Sequence, residues 1–195
     1  MAGAVHLRAA RREDARALAL LVDIAGEGLP RIVWEGMREP GEGIFDVGER
    51  RAAREEGSFS YRNAIVAEDD GGVLAALVGY PLAETPDPVD PEDIPALFRP
   101  LQALEDLAGG TWYINVLASF PEARNRGLGA RLIDAARAAA RDCGCERMSL
   151  IVQDANPARR LYARAGFSDV ARRPIVREGG WDCPGQDWVL QIADV

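Results

Sequence analysis

Residues 117–133 read LASFPEARNRGLGARLI, and the turn at their centre, Arg124-Asn125-Arg126-Gly127-Leu128-Gly129-Ala130, decides how this chain folds. The run WYINVLASF at 112–120 leads into it and reads as a buried strand. The run LGARLIDAARAAARDCG at 128–144 leads out of it and reads as a helix. Leu128, Leu132, Ala135, Ala136 and Ala139 share one of its faces, and Gly144 can end it. Two glycines and two arginines therefore sit between a strand and a helix.

That arrangement suits an anion. A helix start leaves about four backbone N–H groups without partners. The aligned peptide dipoles add about half a positive charge there. A phosphate oxygen satisfies both demands. Glycine at 127 and 129 lets the main chain approach the anion, and Arg124 and Arg126 supply charge-assisted donors. The expectation is a pyrophosphate cradle, although a tight turn with solvated arginines accounts equally well for these seven residues taken alone. Two better-known phosphate motifs are excluded. G-x-G-x-x-G lacks its third glycine, and the P-loop lacks its lysine.

Downstream, RMSLIVQ at 147–153 reads as a strand. Asn156-Pro157 then opens a short helix: asparagine caps, and proline fits the first helical position. Gly166 closes that helix with Phe167 placed to pack back on it, and FSDVARRP and DWVLQIA finish as strands. Upstream, Val5-His6-Leu7-Arg8 alternates as a strand, and Leu18, Leu21, Val22 and Ala25 fall at helical spacing before Gly26 and Gly28. LPRIVWEGM and residues 45–57 predict two more helices. NAIVAE and VLAALVGY form a hairpin across Asp69-Asp70-Gly71-Gly72. Residues 81–95 hold five of the twelve prolines and read as a surface loop, and 96–110 as a helix broken at Pro100.

The 195 residues suit one domain spanning 1–195, with 48 % apolar and 28 % charged residues. All 23 basic residues are arginine, which removes lysine Schiff-base chemistry. A net charge of −8 argues against nucleic acid as a partner and would steer a cationic substrate toward the surface. Cys143, Cys145 and Cys183 are odd in number and lack C-x-x-C spacing, so neither a disulfide framework nor a zinc site is expected, and no metal is called for. No signal peptide or membrane span is read, and the expected location is the cytoplasm.

Taken with Asn156-Pro157-Ala158-Arg159-Arg160-Leu161-Tyr162-Ala163-Arg164-Ala165-Gly166-Phe167, the glycine turn resembles the GNAT superfamily of N-acetyltransferases. The family signature R/Q-x-x-G-x-G/A matches Arg124, Gly127 and Gly129, and the likeness is strong over about residues 111–170. It implies an α/β (α+β) fold of the acyl-CoA N-acyltransferase type, with a central mixed, mostly antiparallel sheet flanked by helices. It implies acetyl-CoA as cosubstrate and a primary amine, of a small molecule or a peptide, as acceptor. Backbone amides of Arg124, Asn125, Arg126, Gly127, Leu128, Gly129 and Ala130 would hold the pyrophosphate. Leu117, Ala118 and Ser119 would pair with the pantetheine arm, although the family usually has an apolar residue where this chain has Ser119. Asn156 would touch the cofactor besides capping its helix, and Tyr162 would protonate the departing thiolate. A homodimer is compatible with this reading. A non-catalytic acyl-CoA sensor is the alternative, and a nucleotide-binding protein of another fold is a third.

Direct transfer needs a neutral amine, donors for the oxyanion and a proton for the leaving thiolate. A backbone N–H near Leu117 or Ala118 is expected to serve the oxyanion. Glu27, Glu35, Tyr113 and Asn115 are candidates for the base or for ordering a water. Glu122 and His6 are weaker candidates, read as surface and edge residues. Trp34 and Phe45 are expected either in the core or along an acceptor pocket.

Overall fold

The computed structural model describes residues 3–87 and 89–195. The surface loop expected at 81–95 and the single domain expected over 1–195 each include residues that lie outside the described ones.

A seven-stranded open sheet has the order β1-β2-β3-β4-β5-β7-β6. Its strands are β1 (His6–Ala9), β2 (Ala64–Asp69), β3 (Gly72–Pro81), β4 (Trp112–Ser119), β5 (Arg147–Gln153), β6 (Ser168–Pro174) and β7 (Asp187–Asp194). β1 with β2, β2 with β3, β5 with β7 and β6 with β7 run antiparallel, and β4 with β5 runs parallel. The helices are α1 (Ala15–Ala25), α2 (Leu29–Glu35), α3 (Ile44–Ala52), α4 (Arg99–Glu105), α5 (Leu128–Asp142) and α6 (Arg159–Arg164). The parallel pair is the one joined through a long helix, α5, as a parallel connection requires. The mixed, mostly antiparallel architecture is the one expected.

The chain forms two compact units. The first comprises residues 1–79 and 116–136, and the second residues 80–115 and 137–195. In the first, α1 buries Ala15, Leu18, Ala19 and Leu21 and packs on α3. These side chains join Val47, Val66, Ala76, Val78, Val116 and Ala118 in one core. The end of α1 is set by Gly26, where a Cβ would lie 2.6 Å from the Pro30 ring, followed by Glu27 and Gly28 at φ 51° and 85°. Trp34 is 2 % exposed and stacks on Phe59 at 6.3 Å between centroids, so it belongs to the core rather than to a pocket wall. Phe45 meets the Trp34 ring edge-on and lies under the guanidinium groups of Arg16 and Arg31.

In the second unit, β5 and β7 pair along their whole lengths, from Arg147–Asp194 to Gln153–Trp188, and bury Met148, Leu150, Val189 and Leu190. Thr111 and Ser149 satisfy one another across the interior with a 2.6 Å hydroxyl pair. α4 lies against β5, β6 and β7.

Two sequence expectations shift. α3 ends at Ala52 rather than near residue 57, because the Arg54 carbonyl accepts the Ser60 hydroxyl and the chain bends through Gly57 at φ 92°. Pro100 does not break a helix. It sits in the first turn of α4, where its missing N–H has no helical partner to lose.

Candidate active site

In the first unit β4 ends at Ser119, a short 3₁₀ turn spans Pro121–Ala123, and α5 begins at Leu128. Between them the chain is wound tightly: Asn125 has φ 59° and Gly127 φ 74°, both left-handed. Asparagine tolerates that region better than most residues, and glycine adopts it freely. Arg131 N–H closes the first helical hydrogen bond onto the Gly127 carbonyl at 3.2 Å. Leu128, at 2 % exposure, anchors the turn in the interior, while residues 124–127 stay exposed.

Among the described residues, no protein acceptor takes the backbone N–H of any residue from 125 to 130. A run of open donors at the positive end of a 15-residue helix is a ready anion site. The Arg124 N–H, expected among the open donors, is instead taken by the Pro121 carbonyl at 3.3 Å, while its exposed guanidinium has no hydrogen-bond or ion-pair partner among the described residues. Arg126 lies 3.6 Å from the Asp69 carboxylate, which orients it and offsets part of its charge. The Arg131 side chain is bound to the Val5 carbonyl at 3.0 Å and belongs to the scaffold. The donors present thus fit a pyrophosphate, which wants many weakly competing N–H groups and one or two arginines.

The ladder between β4 and β5 covers Trp112, Tyr113 and Ile114 opposite Met148, Ser149 and Leu150. Past it, Phe120 donates its N–H to the Leu74 carbonyl of β3 at 2.9 Å. Alternation along a strand then turns the amides of Leu117 and Ser119 to the edge opposite β3. Those are the main-chain groups an extended pantetheine arm would use. Ala118 is 8 % exposed and packs into the core, while the side chains of Leu117 and Ser119 are half-buried.

The remaining two sequence-predicted residues, Asn156 and Tyr162, are in the second unit. The Asn156 side chain accepts the Ala158 N–H at 2.8 Å, an Asx-turn bond ahead of the helix: α6 begins at Arg159, with Ala158 at its N-cap and no side-chain capping bond, so the start expected at Asn156-Pro157 falls later in the chain. α6 is closed by a Schellman motif: Phe167 N–H reaches the Tyr162 carbonyl at 3.0 Å, Gly166 N–H reaches the Ala163 carbonyl at 3.1 Å, and Gly166 has φ 93°. The hydrophobic contact that accompanies the motif is Tyr162 against Phe167, edge-to-face at 6.1 Å. The same closure that ends the helix therefore fixes the Tyr162 ring. Tyr162 is 7 % exposed, and burial pushes its phenol up to about 12. Its hydroxyl has no protein hydrogen-bond partner among the described residues, nor is it one of the sealed polar atoms. It is a protonated phenol with its donor unspent.

The base candidates separate clearly. Glu35 is paired with Arg38 at 2.8 Å on the surface, His6 is paired with Glu68 at 2.9 Å on the exposed edge strand, and Glu122 is exposed in the 3₁₀ turn. Glu27 sits in the left-handed turn after α1. Tyr113 is buried, meets Tyr80 edge-to-face at 5.9 Å, and has its phenol raised well above 10 by burial, with Glu105 and Tyr80 adding to it. Asn115 donates to the Tyr80 hydroxyl at 3.1 Å. Tyr80 and Glu105 escaped the sequence reading. Only the fold, by bringing β3 and the end of α4 beside Tyr113, gives them significance.

An open mixed sheet whose parallel pair is joined by a glycine-led helix, with main-chain donors open at that helix's start, defines an α/β protein of the acyl-CoA N-acyltransferase-like fold. The chain belongs to the Acetyltransferase (GNAT) family, whose sequence model matches residues 31–167. Solved structures agree over nearly the whole chain. One described as an acetyltransferase is 25 % identical, with a TM-score of 0.66 over 97 % of this chain and 99 % of its own. The N-acetyltransferase from Staphylococcus aureus Mu50 is 18 % identical, with a TM-score of 0.63 over 96 % of this chain and 100 % of its own. The mosquito arylalkylamine N-acetyltransferase like 5b is 17 % identical, with a TM-score of 0.68 over 98 % of this chain and 100 % of its own. These last two share the fold. No curated protein matches the sequence.

Proposed function

We propose that this acetyltransferase-family protein, with residues 1–195 acting as one catalytic domain, transfers acetyl from acetyl-CoA directly to a primary amine of a small molecule or peptide. The observation that carries the reading is the run of unpartnered backbone N–H groups at residues 125–130, flanked by Arg124 and Arg126. These would hold the pyrophosphate, and the outward amides of Leu117 and Ser119 would hold the pantetheine arm. The carbon–nitrogen bond forms as the carbon–sulfur bond breaks. A backbone N–H near Leu117 or Ala118 stabilises the oxyanion, and the loss of one such donor typically costs about 100- to 1,000-fold in rate. The leaving thiolate takes the Tyr162 proton, and the amine loses its surplus proton to a base or to water. No acyl-enzyme is needed.

We place the activity in the cytoplasm. The odd count of three cysteines, none in C-x-x-C spacing, supports that.

The test is an acetyl-CoA turnover screen over amines, amino acids and peptides, read by thiol release, with coenzyme A affinity measured alongside. Turnover on an amine supports the proposal. Tight binding of coenzyme A without transfer to any amine would favour the sensor reading. Tighter binding of ATP or NAD than of coenzyme A would remove both.

A further inference from the structure

In the second unit residues 82–86, which follow β3, run beside the segment that follows α4. Leu82 N–H bonds to the Thr111 carbonyl at 2.9 Å, and Gly110 N–H bonds to the Ala83 carbonyl at 3.2 Å. The approach is close enough that a Cβ on Gly109 would stand 2.5 Å from the Glu84 carbonyl oxygen. The two pinned segments border an open cavity of about 170 Å³, lined by Leu82, Ala83, Pro86, Gln102, Glu105 and Asp106 with the Gly109 backbone. Its volume is roughly that of five waters. One flank is apolar, from Leu82, Ala83 and Pro86. The other is polar.

The carboxyl groups on the polar flank are unequal. Asp106 is exposed and accepts the Gln102 amide at 2.8 Å. Glu105 is half-buried, and among the described residues it has neither a hydrogen-bond donor nor a cation. Burial, with Asp106 adjacent, raises its pKa above the usual carboxylate value. Its position compounds the imbalance. Glu105 is the last residue of α4, at the negative pole of the helix, and no basic residue occupies that last turn. Across residues 81–108 there are seven carboxylates and one arginine, Arg99, whose guanidinium is bound to the Ile94 carbonyl. The protein thus builds a small cavity around a negative charge that it does not neutralise. A half-buried charge with no partner has lost part of its hydration, so a complementary cation gains from entering.

Resting on the acetyltransferase reading above, we propose that this cavity receives an alkylammonium group of the acceptor, with the ammonium on the Glu105 carboxylate and a short methylene arm against Leu82, Ala83 and Pro86. A compact ammonium with three donors fits a single carboxylate better than a planar guanidinium, which wants a second oxygen pair. The apolar flank favours methylenes over a hydroxylated chain. A free diamine and a peptide lysine both present this chemistry.

The experiment is calorimetric titration of the intact protein, without acetyl-CoA, by n-butylammonium, diaminobutane, N-acetyl-lysinamide and neutral n-butanol. The three amines are expected to bind at least about tenfold more tightly than butanol, and Glu105→Gln to weaken them by about 10- to 100-fold. The order of diaminobutane and N-acetyl-lysinamide tells a free diamine from a lysine side chain. Equal binding of butanol and butylammonium, amine binding unchanged in Glu105→Gln, or no amine binding at all would overturn the proposal. Should Glu105→Gln unfold, carboxyl-carbon NMR of the unmodified protein decides. The Glu105 pKa should fall toward the ordinary range on adding diaminobutane, and an unmoved titration would be a refutation. Because acetyl-CoA is left out, this result can fail while turnover on other amines stands, and the converse holds as well.

Discussion

At the scale of the residue, the proposed acid is Tyr162, a buried phenol held protonated with its hydroxyl uncommitted. Tyr162→Phe removes only that hydroxyl and leaves the Phe167 contact in place. Coenzyme A affinity is therefore expected to stay within about threefold while kcat falls by about 100-fold or more, the usual worth of a positioned acid. Kinetics on an identified amine together with calorimetry measure both. The pH profile carries a signature. An acid works only while protonated, and the raised pKa keeps the phenol protonated up to about 12. Loss of the Tyr162 proton should thus produce no descending limb in kcat near the ordinary phenol value of about 10. Asp169 shows the opposite sign. Burial alone would raise its pKa, but hydrogen bonds from Gln191, Arg172 and Arg159 overcome that and hold it down at about 2. The unfolded aspartate titrates near 4, so the stabilisation is present above that pH and is lost as pH falls toward about 2. Asp169→Asn should lower the unfolding midpoint at neutral pH. Its gap to the wild type should narrow below about pH 4 and close only near pH 2 in denaturant melts.

On the scale of single elements, α5 and α6 show how a local closure reaches a distant chemical group. Gly166 ends α6 at φ 93°, and the motif it completes holds Tyr162 against Phe167. A Cβ there would meet nothing within 4 Å, so Gly166→Ala is strained by backbone conformation and not by crowding. It should cost about 1–2 kcal/mol of stability. It should also lower kcat with little change in coenzyme A affinity. Gly127 in the turn before α5 is the counterpart, at φ 74° and equally open. Gly127→Ala should weaken coenzyme A binding instead, because the amides it displaces are the proposed ligands.

These two turns were legible in the sequence because glycine, asparagine and the helical spacing of apolar residues are local signals. The end of α3 was not. It depends on Ser60 reaching back to Arg54, a bond between a loop hydroxyl and a carbonyl just past the helix that no periodicity announces. Trp34 was ambiguous for a related reason. An aromatic residue on a short helix suits a pocket or a core, and only the stack on Phe59 decides for the core. Glu105 was invisible as a candidate. Its neighbours in the cavity include Leu82 and Ala83, more than twenty positions away in sequence.

For the molecule as a whole, neither compact unit is one stretch of chain. The first needs residues 116–136 to complete it, and its core includes Val116 and Ala118 alongside residues of α1, α3, β2 and β3. A fragment ending at residue 79 should therefore lack a native near-ultraviolet circular dichroism spectrum. The full chain should respond to its cosubstrate as any protein does to a ligand of its native state. Coenzyme A at about 100 times its Kd is expected to add about 2.7 kcal/mol and to raise Tm by several degrees. Added salt should erode that gain, since the net charge of −8 leaves local attraction by Arg124 and Arg126 to outweigh general repulsion.

The open donors at residues 125–130 also make the protein its own reporter. Peptide protons that no carbonyl holds trade with deuterated solvent quickly, whereas those further along α5 are bonded within the helix and trade slowly. When a diphosphate seats, the fast set should join the slow one. A single labelled peptide covering the turn would then register occupancy by any acyl carrier before a single acceptor is known.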